Sequence, residues 1–347
     1  MIKNYYKKTN NRVFVIAEAG SNHLKNLKRA YRLIDIAKKA GADAVKFQSF
    51  QADEIATKNL RYNKIDNRFK KYGKNLYEFY KKFELPENFY EKIINYCNKK
   101  RIIFLTSVFG FDSYAKIKKY CNIIKIASFE SNYFELINQL VNDKKYIIIS
   151  TGCDNLKDIN QLILFFKKKK YKNFSILHCG SDYPLDYKNV NLKFISKLKI
   201  KYPKINFGYS DHTLGISVPI SAVTLGATII EKHFTISKRD GSPDSFFSLE
   251  EKDLIKMIKN IRDTENFLGN ENKYFNKKLN KMKKIGRRSY YANTALKKGA
   301  IIKKGMFKAL RPSIKNGVDL REYFNFIGKK IKKNIKANEP LKNEHLY

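Results

Sequence analysis

The sequence predicts an α/β chain: a (β/α)8 TIM barrel over residues 1–269, a linker over 270–286 and a small, mostly-β domain over 287–347. Three observations point there. Short apolar runs alternate with longer amphipathic ones eight times, over about 255 residues, which is the count and span of such a barrel. No Gly-x-Gly-x-x-Gly follows the first apolar run, which argues against the rival, an open doubly wound sheet. After Gly269 the texture changes to polar, lysine-rich sequence and then to short segments punctuated by glycine turns.

Strands are expected at 13–17, 44–47, 102–105, 123–126, 146–150, 174–178, 206–209 and 228–231, each a short apolar run. Helices are expected between and after them at 27–40, 87–99, 113–120, 134–141, 156–167, 192–202, 217–225 and 249–267. One connection, 49–86, is too long for a turn and rich in Tyr, Lys and Asn. Long loops in compact domains are usually functional or disordered, so it reads as a lid or an oligomer contact. Residues 270–286 have the weak patterning of a linker. The last segments, with the turn at Lys297-Lys-Gly299, make a module with little core of its own.

Charge is the unusual quantity: 71 Lys+Arg against 32 Asp+Glu give a formal +39. Such a field attracts polyanions, so a cationic binding protein on a barrel scaffold stands as a non-enzymatic alternative. The lysines are nevertheless spread along the whole chain, which argues for solvated faces rather than a dedicated nucleic-acid surface. Cys97, Cys121, Cys153 and Cys179 form no CxxC pair, as expected for reduced thiols in a cytoplasmic protein. The short basic lead leaves no room for a signal peptide, and no apolar run is long enough to span a bilayer.

Each expected strand is followed by polar residues: Glu18 to His23, Lys46 and Gln48, Thr106 and Ser107, Lys125 with Ser128 and Glu130, Ser150 to Gly152, His178 to Tyr183, Ser210 to His212, and Lys232 and His233. In a barrel all eight strand ends open at one mouth. His212 and His233 would meet there; two neutral imidazoles suit a divalent metal, with Asp211 and Glu231 as neighbours able to fix their tautomers. Lys46 and Lys125, with the hydroxyls of Ser107, Ser128, Ser150 and Ser210, suit a phosphate and a carboxylate on one small molecule. Glu18, Glu130, Asp211 and Asp244 are candidate acid–base groups or hydroxyl binders. Lys125 or Lys46 could instead be the Schiff-base lysine of an aldolase, which spacing alone does not exclude.

The motifs IAEAGSNH (16–23), GADAVKFQ (41–48), IKIASFE (124–130), IISTG (148–152), SDYP (181–184), GYSDHTLG (208–215), LGATIIEKHF (225–234) and PDSFFSLE (243–250) resemble, in order, those of the sialic acid synthase family. ALRPS (309–313) resembles its C-terminal antifreeze-like module, the SAF domain. The resemblance implies condensation of phosphoenolpyruvate with an N-acylated hexosamine to a nine-carbon keto acid. It implies His212 and His233 as ligands of manganese, or of magnesium or cobalt. It also implies Lys46, Ser107, Lys125, Ser128, Ser150, Ser181 and Ser210 around phosphoenolpyruvate, with Glu18, Gln48, Tyr183 and Asp244 facing the sugar and the reacting carbons. Arg311 would reach the sugar's acyl group from a partner subunit in a domain-swapped homodimer. PDSFFSL and Ala127-Ser-Phe-Glu130 resemble the pseudaminic acid synthase branch, whereas GYSDHTLG resembles the N-acetylneuraminate and legionaminate branches, so the acceptor hexosamine stays open.

Overall fold

The structure is a computed structural model and describes residues 9, 12–59, 70–269 and 272–346. The chain divides into two compact units, Met1–Gly269 and Asn270–Tyr347. In the first, eight parallel strands close a barrel in the order β1 to β8: Phe14–Gly20, Ala44–Ser49, Ile103–Val108, Ile123–Ile126, Tyr146–Ser150, Phe174–Cys179, Asn206–Asp211 and Ile229–His233. Helices connect consecutive strands, as parallel pairing requires of a crossover.

Both faces of the barrel wall are buried. Outward residues such as Val15, Val45, Ile124, Ile147, Ile176, Phe207 and Ile230 pack under the helix layer. The helix Leu27–Ala40 shows why that layer forms: Ala30, Leu33, Ile34, Ala37 and Ala40 recur at helical spacing on one buried face, and Asn26 caps the first turn by accepting from Arg29 N at 3.1 Å. Inward residues Phe14, Ile16, Ala44, Leu105, Ile123, Tyr146, Ile148, Leu177 and Ile229 form a separate apolar plug.

Because side chains alternate across a strand, the next inward position towards the carboxyl end is set by counting two. After Phe14 and Ile16 comes Glu18; after Ala44, Lys46 and Gln48; after Leu105, Ser107; after Ile123, Lys125; after Ile148, Ser150; after Leu177, Cys179; after Ile229, Glu231 and His233. The plug thus ends in a polar layer at the mouth. Several strands run past their expected ends for this reason: β6 includes Cys179, β7 includes Asp211, and β8 ends on His233.

The connection 49–86 contains the helix Ala52–Ile55, the 3-10 turn Lys70–Tyr72 and the helix Leu76–Phe83. Tyr72 Oη donates to Gly241 O at 2.7 Å, linking this connection to the loop after β8. Residues 60–69, part of the expected lid or oligomer contact, lie outside the described residues.

The second unit pairs β9 (Ser289–Ala292) with β10 (Phe307–Leu310) antiparallel, and short bridges such as Leu296–Ile335 and Ile331–Leu346 extend the β character. It has a core of its own, built on Tyr290, Leu296, Ile302, Phe326, Ile331, Ile335 and Leu341. Within the stretch expected as a linker, residues 277–286 form a helix, Lys277–Gly286, capped by Asn276 and tied to this unit through Lys284 O, which accepts from Ser313 N at 3.1 Å. Among the described residues no helix is long and apolar enough to cross a membrane.

Candidate active site

At the mouth, Lys46 is buried between two carboxylates, with Nζ 2.8 Å from Glu18 and 3.6 Å from Glu231, and donates to Ser107 Oγ at 2.9 Å. Burial alone would lower its pKa, but Glu18 and Glu231 outweigh it and hold the ammonium charged. Burial lifts Glu18 to about 8; Lys46 opposes the shift, and the nearby Glu231 and Asp244 add to it. Glu231 is held down instead, because Lys46 and Lys125 outweigh its burial, and it accepts from Ser210 Oγ at 2.9 Å. Gln48 Nε2 donates to Glu18 Oε1 at 3.2 Å. Of these carboxyls, Glu18 is therefore the one that carries a proton near neutral pH, poised for proton transfer.

Lys125 is buried and its Nζ donates to Ile126 O at 2.7 Å; burial pulls its pKa down. Ser150 Oγ is buried with no partner, and Gly152 N donates to Ser128 Oγ at 3.0 Å. A Cβ added at Gly152 would lie 2.4 Å from Ser181 Oγ, 3.0 Å from Ser128 Oγ and 3.2 Å from Cys179 Sγ. Three side chains from two strand ends, Ser128 after β4 and Cys179 and Ser181 at the end of β6, thus converge on a glycine after β5 that leaves room between them, a cradle suited to an anion.

The imidazoles of His212 and His233 meet with ring centroids 5.5 Å apart. His212 Nδ1 hydrogen-bonds Gly180 O at 2.7 Å. Burial lowers His212 to about 4, and burial, His212 and Lys46 lower His233 well below the usual range, so both imidazoles are neutral at neutral pH. Asp244 Oδ2 lies 3.8 Å from His233 Nδ1, and burial raises Asp244 to about 6. Gly20, at φ +52°, lets the chain pass here: a Cβ would lie 2.6 Å from Asp244 Oδ2 and 3.4 Å from His233 Cε1. Among the described residues no group of three or more His, Cys, Asp and Glu is disposed to hold a metal. The residues present fit an ion held by two neutral imidazoles and completed by water and substrate oxygens.

The Tyr183 ring lies against His212, 4.3 Å between centroids and tilted by 41°. Glu130 is buried on one side, with Oε2 unpartnered, and burial lifts it to about 7 against the pull of Lys125. Its folded-state pKa lies above the unfolded value, so ionisation as pH rises from about 4.5 to about 7 costs stability. Glu130→Gln is expected to melt a few degrees above the wild type at about pH 8, the gap closing towards about pH 4. Calorimetry at the two pH values checks this; a gap independent of pH would contradict it.

Several strand-end residues do not enter the mouth, among them His23, which packs beside Phe47 of the outer layer. Asp211 and Lys232, on the outward face of β7 and β8, form a fully buried ion pair at 2.5 Å, and Asp211 also accepts from Thr213 Oγ1 at 3.0 Å. Asp211 is therefore neither an acid–base group of the site nor the tautomer-fixing neighbour of His212; the carbonyl of Gly180 makes that contact, while Glu231 bonds Ser210 rather than an imidazole. His178 bonds Val190 O at 2.8 Å in the helix layer, and Thr106 bonds Ser49 Oγ at 2.7 Å behind the wall. Arg311 belongs to the second unit, where it is exposed and donates from Nε to Gly286 O at 2.7 Å. Sequence reasoning missed Asn22, which donates to Phe234 O at 2.8 Å and accepts from Ser242 Oγ at 2.7 Å. It joins the loops after β1 and β8; its only signal is its place at a strand end.

A closed eight-stranded barrel with lysines, serines, carboxylates and paired imidazoles gathered at its strand ends has the construction of a (β/α)8-barrel enzyme. The chain belongs to the NeuB family, whose model matches residues 33–273, and a SAF domain follows at 287–346. It is 34% identical to the N,N'-diacetyllegionaminic acid synthase of Campylobacter jejuni, covering 95% of this chain and 99% of that protein. It is also 34% identical to the pseudaminic acid synthase of that species, with 96% of both chains covered. The crystal structure of N-acetylneuraminic acid (sialic acid) synthetase from Leptospira borgpetersenii in complex with citrate superposes with a TM-score of 0.70 at 33% identity, over 78% of this chain and 90% of that one.

Proposed function

We propose that the protein is a nonulosonic acid synthase that condenses phosphoenolpyruvate with an N-acyl hexosamine, forming a nine-carbon 2-keto acid and releasing phosphate. The observation that carries this reading is the convergence, at one barrel mouth, of a serine-lined cradle, two buried lysines and two neutral imidazoles. Ser128, Ser150, Ser181 and Ser210 with Lys125 would hold the donor's phosphate and carboxylate, with Lys46 and Ser107 beside them. A divalent ion on His212 and His233, manganese by preference over magnesium or cobalt, would supply Lewis acidity at the acceptor's aldehyde oxygen.

The methylene carbon of phosphoenolpyruvate attacks the aldehyde carbon, water adds at the former enol carbon, and the C–O bond to phosphate breaks, leaving the keto acid. Glu18, protonated near neutral pH, would deliver or accept a proton at the reacting oxygens. Gln48, Tyr183, Glu130 and Asp244 would bind and orient the acceptor. Arg311 would come from the C-terminal module of a second subunit, which makes a homodimer the expected assembly. The acceptor is a 2,4-diacetamido-trideoxyhexose or N-acetylmannosamine; the 34% identity to both the legionaminic and the pseudaminic acid synthase favours the former class.

Phosphate release measured with a panel of N-acyl hexosamines, with and without Mn2+, tests the reading. His212→Ala and His233→Ala are each expected to abolish turnover and lower bound metal. Full activity in the chelated double variant would sink the metal role. Of the two candidate lysines at the mouth, Lys125 has its pKa lowered by burial whereas that of Lys46 is raised, so borohydride with pyruvate is the control for an aldolase; a trapped adduct on Lys125 would replace this reading. Tight, salt-dependent binding of polynucleotide without phosphate release would favour a cationic binding protein.

A further inference from the structure

The two imidazoles are held by different means. His212 is pinned through Nδ1 to the Gly180 carbonyl. His233 has no hydrogen-bond partner at Nδ1, and its nearest carboxylate, Asp244, stands at 3.8 Å, beyond hydrogen-bond reach. Histidines that ligate metals almost always have the second ring nitrogen fixed by a polar partner. What lies against His233 instead is the ring of Phe247, edge-on at 5.0 Å between centroids and 65° between planes. The same ring stands at 6.2 Å and 89° to His212 and at 5.4 Å to Tyr183, and it is 2% exposed.

Phe247 is itself tightly placed. Ser245 Oγ donates to Ser242 O at 2.8 Å, Ser248 Oγ to Asp244 O at 2.6 Å, and Leu249 N to His233 O at 2.9 Å. Ser242 is tied in turn to Asn22. The loop after β8 therefore carries a fixed aromatic ring against both histidines, edge to face as aromatic rings prefer, and beside Tyr183, to which it is tilted.

We propose that Phe247 is a positioning residue of the metal site: its ring sets the plane of His233 relative to His212 by packing, in the role a hydrogen bond usually fills. This rests on the reading of the histidine pair as a metal site.

The test uses full-length wild type, Phe247→Ala, Phe247→Leu and, as a control on the neighbouring, 39% exposed ring, Phe246→Ala. Free Mn2+ is titrated by electron paramagnetic resonance in the absence of substrates, and each variant's melting temperature is recorded. Phe247→Ala is expected to weaken Mn2+ binding by about tenfold or more, the range seen when the support of a ligating histidine is lost. Phe247→Leu, which refills most of the volume without a flat ring, is expected to fall between, and Phe246→Ala to bind as the wild type does. Should the alanine variant fail to fold, the leucine variant decides. Wild-type affinity in folded Phe247 variants, with only a lowered melting temperature, would overturn the proposal while leaving the metal site standing. A wild type that binds no Mn2+ would overturn both.

Discussion

Gly152→Ala is expected to raise the KM for phosphoenolpyruvate by about 100-fold while leaving the circular dichroism spectrum unchanged. The added methyl would meet Ser181 Oγ at 2.4 Å, closer than such contacts allow, so that hydroxyl must rotate out of the cradle, and would crowd Ser128 Oγ at 3.0 Å, displacing it from its present position. Hydrogen bonds to a charged group are worth about 1.5 kcal/mol or more each, and losing two amounts to about 100-fold. The backbone need not move, because Gly152 lies outside the left-handed region. Steady-state kinetics with the donor varied at saturating acceptor reads the result; an unchanged KM would mean that the phosphate binds elsewhere.

Lys46→Met is expected to be more damaging still, in stability as well as rate. Lys46 is the cation between Glu18 and Glu231, with a side chain 4% exposed beside carboxylates that are 1% and 6% exposed. Removing one partner from a buried ion pair costs about 3–5 kcal/mol, because the remaining charge is stranded. The same change removes the group that keeps Glu231 ionised and Ser107 oriented, so turnover should fall by about 10³-fold. Chemical denaturation and single-turnover phosphate release check the two effects separately. A stable, active variant would show that the two carboxylates do not need the lysine.

Much of this site was legible before the coordinates. The strands at 123–126 and 146–150 lie where the apolar runs place them, and His212, His233, Lys46, Lys125 and the serines come together as their strand-end positions suggest. Two things were hidden. A strand of a closed barrel is buried on both faces, so its sequence is apolar throughout and does not announce which residues look inward. Asp211, Lys232, His178 and Thr106 were assigned to the mouth for that reason, although each lies one position out of phase with an inward neighbour. Hydrophobicity also stops before the strands do: the ladder continues through Ser210 with Glu231, which face the cavity, and Asp211 with Lys232, which pair behind the wall, so the polar residues there are buried rather than turned to solvent. Phe247 carried no such signal, since nothing in a loop sequence tells where a single aromatic ring will land.

The ion pair of Asp211 and Lys232 sits behind the wall, directly adjoining the two histidines along their strands. It works as a rivet that sets the gauge between neighbouring rails: if the two strands slipped by one rung, every inward group on one of them would turn its back on the cavity. The spacing of the imidazoles is thus governed from a place no substrate can reach. Damage to catalysis by a change at either rivet residue would therefore report on alignment, and would leave the chemistry of the mouth intact.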